Sequence, residues 1–89
     1  MNAESRKAVQ SILNDLCEID TQIEAFKGKV EQLQEEEQEK FDNLSAGLQA
    51  SERGQLLEQA AAQLASAIDY LESAVSAVTD ACSELENLE

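Results

Sequence analysis

The stretch VQSILNDLCEIDTQIEAFKGKVEQL, residues 9–33, decides the fold. Along it Val9, Ile12, Leu16, Ile19, Ile23, Phe26, Val30 and Leu33 step by 3-4-3-4-3-4-3. That rhythm is the apolar seam of a coiled coil, because residues three and four apart share one face of an α-helix. The flanks of the seam are mostly polar: Asp15, Gln22 and Lys29 on one side, Asp20, Lys27 and Gln34 on the other. Leu13 is the exception. A stripe this narrow predicts one main neighbour for the first helix.

Beyond Leu33 the pattern slips. The next seam positions are the charged Glu37 and Lys40, and apolar residues resume one place out of phase at Phe41, Leu44 and Leu48. The seam ends there or passes a stutter. Asp42, Asn43, Ser45 and Gly47 are turn formers. Ser51 suits a helix N-cap, with Glu52 in the first turn where the helix dipole favours an acid. Gly54 is unusual so early in a helix and suggests a close backbone approach.

A second run follows. Ala61, Leu64, Ile68, Leu71, Val75, Val78, Cys82 and Leu85 repeat the 3-4 rhythm, and Ala60, Ala67, Ala74 and Ala81 form a second stripe beside it. This helix has a wide apolar face, enough for two neighbours. After Arg53 it has no basic residue, so its stability must come from packing rather than Glu–Lys pairs.

The expected fold is all-α: a single antiparallel two-helix coiled-coil hairpin over residues 1–89. Its first helix is expected over about residues 4–40, a connector over about 41–51 and a second helix over about 52–88. The expected hairpin core is Ile12, Leu16, Ile19, Ile23, Phe26, Val30 and Leu33 against Leu64, Ile68, Leu71, Val75 and Val78. Such a core is thin for a chain this small. The stripe Ala60, Ala67, Ala74 and Ala81 is therefore expected to be an oligomer interface. It would make a homodimer in which second helices meet inside a four-helix bundle.

Composition narrows the function. The 89 residues include 19 acids, 6 bases and no histidine, for a net charge of -13. Such a chain repels nucleic-acid phosphates and anionic membrane surfaces. Without His it lacks the usual general base and the commonest metal ligand. It has no phosphate-binding glycine loop, no calcium loop and no CxxC pair, so no enzyme activity, cofactor or metal is expected. Cys17 and Cys82 are expected to be free thiols in a reducing cytoplasm. The opening residues lead straight into a periodic helix, and no run of 18 apolar residues exists to span a membrane.

The connector resembles a segment of small phage and prophage proteins. The matching residues are Phe41-Asp42-Asn43-Leu44, Leu48-Gln49 and Ser51-Glu52-Arg53-Gly54. In those proteins an acidic helix leads through an aromatic-Asp-Asn-Leu-Pro turn and Leu-Gln-x-Ser-Glu-Arg-Gly into an Ala/Glu/Leu helix. The likeness spans about residues 35–88 and is sharp over 41–54; Ser45 stands where the pattern has proline. It implies a phage or prophage origin and a helical hairpin, and carries no activity with it.

The remaining expectation is binding without chemistry, to a host or phage protein. Acid rows on a rigid rod can imitate a phosphate backbone towards a basic cleft, as an inhibitor of a nucleic-acid-handling or defence protein would need. The candidate partner-binding residues are Glu31, Glu35, Glu36, Glu39, Asp69 and Glu72, with Arg53 at the tip. Two alternatives are an assembly coiled coil acting through self-association, and an oligomeric sponge for a small anion built on Arg6-Lys7 and Lys27-Gly28-Lys29.

Overall fold

The computed structural model describes residues 1–88 and contains three helices: α1 (Ala3–Asp42), α2 (Ala46–Gln49) and α3 (Glu52–Glu86). Among the described residues there is no strand. The two long helices pack against each other and form a rod of 68 × 15 × 13 Å. No described helix is long and apolar enough to cross a membrane.

Each helix start is capped by a short polar side chain. Asn2 accepts from the Ser5 amide at 2.8 Å, which satisfies one of the orphan donors of α1. Ser51 accepts from the Gly54 amide at 3.3 Å and caps α3. Ser45 caps α2, a one-turn helix inside the connector that turn-forming residues alone do not announce. The Gln49 side-chain amide donates to the Phe41 carbonyl at 3.2 Å and ties α2 back to the end of α1.

The turn is closed by Gly54, one of two buried residues in α3. A Cβ built there lies 2.7 Å from the Gln49 carbonyl carbon and closer still to the carbonyl oxygens of Leu48 and Gln49. Backbone cannot retreat as a flexible side chain can, so only glycine lets α3 begin this close to α2.

Two packed helices leave almost no interior. Among the described residues Ala61, at 3% exposure, is the only buried apolar side chain. The helices meet along stripes that are half-buried. In α1 these are Val9, Leu16, Ile23 and Val30, and beside them Leu13, Asp20, Lys27 and Gln34. In α3 they are Leu64, Leu71, Val78 and Leu85, with Ile68, Val75 and Cys82.

Here the structure differs from the sequence reading. Ile12, Ile19, Phe26 and Leu33, expected in the hairpin core, lie at its rim with exposures of 48, 42, 53 and 50%. The cause is a rotation of α1 about its own axis. Turning it towards the Leu13–Lys27 row brings Leu13 onto α3 and lets Lys27 reach Glu72 at 3.2 Å. Two helices alone cannot cover both flanks of a seam, so the row on the far flank is left outside.

Candidate functional site

The rod has two long edges, and the Lys27–Glu72 ion pair tells which rows share each edge. Successive residues turn by about 100° in an α-helix, so Ile12, Ile19, Phe26 and Leu33 lie on one flank of the α1 contact stripe and Asp20 and Lys27 on the other. In α3 the row of Glu58, Ala65, Glu72, Thr79 and Glu86 lies on one flank, and Ala60, Ala67 and Ala74 on the other. Since Lys27 bonds Glu72, those two rows face the same way. The Ile12–Leu33 row and the alanine row therefore share the opposite edge. Lys40 and Arg53 continue these two rows towards the turn, and the Arg53 charge acts on Lys40, as neighbours on one edge require.

The first edge is acidic. It presents Asp20, Glu24, Glu31, Glu58, Glu72 and Glu86 against Arg6 and Lys27. Lys27 also reaches Glu31 at 3.8 Å. Its ammonium is held above its ordinary pKa, chiefly by the hydrogen bond to Glu72 and by the nearby carboxylates, against the opposing effect of desolvation. Near the open end a groove of about 390 Å³ lies between the helices. Cys17 and Cys82 both line it, and both are free thiols. Asp20, also in its lining, has one carboxylate oxygen covered and without a hydrogen-bond partner.

The second edge is apolar. Ile12, Ile19, Phe26 and Leu33 stand on α1 beside Ala60, Ala67, Ala74 and Ala81 on α3. Ala60, Ala67 and Ala74 are half-buried at the rim of the helix contact, and Ala81 is exposed. Tyr70, 78% exposed, sits one row further out. Lys29 lies over the Phe26 ring at 5.8 Å from its centroid, a contact that shields one face of an otherwise open aromatic. The two rows contain no carboxylate over their whole length, although 19 acids are spread through the chain. Their only charges are the cations Lys40 and Arg53, at the turn.

The other candidate residues are scattered. Glu31 and Glu72 meet at Lys27, whereas Glu35, Glu36, Glu39 and Asp69 are exposed on other faces. Arg53 makes no ion pair with Glu52 or Asp42 among the described residues. Of the glutamate run, Glu37 turns inward and accepts from Lys40 at 2.8 Å, which raises the Lys40 pKa. Gly28 marks no close approach, since a Cβ there meets nothing within 4 Å. Among the described residues no three His, Cys, Asp or Glu side chains are grouped to hold a metal ion.

The exposed Ile12–Leu33 row is the feature that sequence reasoning missed. The signal was Leu13, the apolar residue out of step with the seam. No protein-family model, curated protein or solved structure matches the chain.

Proposed function

We propose that this chain is a non-enzymatic interaction protein, a helical hairpin that self-associates into a four-helix bundle and engages another protein with its acidic surface. The observation that carries this reading is the division of charge: carboxylates gather on one edge of the rod, and the two apolar rows of the other edge contain none. An apolar helical edge suits helix-on-helix docking. An acidic edge suits a basic partner, with fast, salt-sensitive association. With the connector's likeness to phage and prophage proteins, the partner is a host protein in the bacterial cytoplasm whose basic surface ordinarily meets nucleic acid. Binding there modulates or blocks it.

Affinity capture from bacterial lysate tests the reading. A host protein should be retained at low salt and lost at high salt. It should also be lost when Glu24, Glu31 and Glu72 are together changed to lysine while the circular dichroism stays helical. Retention by that variant would overturn the electrostatic reading. The second reading, an assembly coiled coil that works through apolar contact, is favoured by the exposed Ile12–Leu33 row. It predicts a partner whose binding ignores salt. The lysines do not favour an anion sponge: Lys27 is engaged by Glu31 and Glu72, and Lys29 lies over Phe26.

A further inference from the structure

The rod exposes more surface than a compact chain of its mass, and its apolar edge is where a partner can cover that surface. The chain exposes 6480 Å². A compact monomer of its 9.7 kDa mass exposes about 5,100 Å². The surplus of about 1,400 Å² exceeds the roughly 800 Å² that each partner contributes to a standard protein interface. The radius of gyration, 20.0 Å, likewise stands well above the ~12 Å of a compact chain of this length. One buried apolar side chain is a weak basis for an independently stable fold.

We infer that a second copy of this chain covers the apolar edge, with Ile12, Ile19, Phe26 and Leu33 of α1 supplying the bulk of the interface and Ala67 and Ala74 of α3 admitting the partner's backbone. The inference rests on the interaction reading above and gives its apolar edge an occupant. Three properties of the edge select a copy of itself. Its rows are free of carboxylates, so two chains of net charge -13 can meet there with their acidic edges turned outward. It runs along both long helices, so one two-fold axis places all four helices side by side with each edge against its own copy. It pairs a row of large side chains with a row of small ones, which permits close packing without voids.

This differs from an interface of alanines alone. The bulky contribution comes from α1, and the strongest single truncation is expected at Phe26 rather than in the alanine row.

Size-exclusion chromatography with light scattering on the full chain tests the inference. The wild type should elute at twice the chain mass. Ile19→Glu combined with Phe26→Glu should elute at the single-chain mass with its helical circular dichroism retained, because both residues are already half-exposed in the hairpin. Glu24→Lys combined with Glu31→Lys, on the other edge, should remain at twice the chain mass. Should the double glutamate variant lose its helix, the milder Phe26→Ser should still raise the dissociation constant at least tenfold. A helical wild type found at the single-chain mass at every concentration would overturn the second copy and the self-association proposed above, while leaving the engagement of a basic partner by the acidic edge intact. A folded Ile19→Glu, Phe26→Glu variant still at twice the chain mass would place the interface elsewhere.

Discussion

The two edges of the rod are built from the same two helices and sit a helix width apart, yet they solve opposite problems. The acidic edge is largely satisfied within one chain: Lys27 bridges Glu31 and Glu72, and the remaining carboxylates face water apart from one covered oxygen of Asp20. The apolar edge is unfinished, with four large side chains 42–53% exposed in a row. The difference teaches that a 3-4 repeat specifies an apolar stripe but not which neighbour takes it. In α1 one flank of the stripe goes to α3 and the other stays exposed.

That comparison holds only while the arms keep their relative rotation and register, which the turn sets. The largest effect is therefore expected far from either edge. Gly54→Ala places a methyl group against the Leu48 and Gln49 carbonyls and should destabilise the hairpin by about 3 kcal/mol, the upper end of overpacking costs. Chemical denaturation followed by circular dichroism measures this, and an unchanged midpoint would show that the turn does not hold the arms. The two rows of α1 can next be set against each other in a chain held monomeric by Phe26→Glu. Ile23→Ala, in the row against α3, should cost about 2 kcal/mol, near the low end for a packed isoleucine. Ile19→Ala, at the open rim, should cost less than half as much. Equal losses would erase the distinction between packed and open rows.

Smaller effects sharpen the picture. Gly28→Ala should stabilise the chain by up to about 1 kcal/mol, since the new methyl group meets nothing and alanine favours the helix. A loss of stability, or of assembly, would mean that a partner approaches there. The smallest effect is expected on the acidic edge. Lys27→Met should lower the melting temperature slightly at neutral pH, less so in high salt. The Lys27 pKa is raised in the folded state, so its contribution is fully present below the ordinary lysine value of 10.5 and is lost as pH rises through the folded value. The melting difference between wild type and Lys27→Met should vanish over that alkaline range and persist below it.

Much of the fold is legible in the residues themselves. The two 3-4 runs imply two long helices, and the turn formers between them imply a reversal. Ser51 reads as a cap, and Gly54 reads as a close approach because no other feature calls for glycine in a first helical turn. The rotation of α1 is less legible. Val9, Leu16, Ile23 and Val30 can be completed into a seam by the Ile12–Leu33 row or by the Leu13–Lys27 row, and both have helical spacing. Hydrophobicity favours the first. The structure takes the second, where Leu13 packs and the Lys27 ammonium can reach Glu72. Row-by-row chemistry along each edge emerges only once that cross-helix pair is known, because a single helix does not say which of its flanks lies beside which flank of its neighbour.

Thermal melting as a function of protein concentration, at low and at high salt, tests the central claim most directly. A dimer joined by an apolar edge between two strongly acidic chains should melt at higher temperature as concentration rises, by mass action. Added salt should raise the midpoint further by screening the repulsion between the copies. A midpoint that stays the same across a wide concentration range would contradict the account, because the apolar edge would then be open to water in the stable form of the protein.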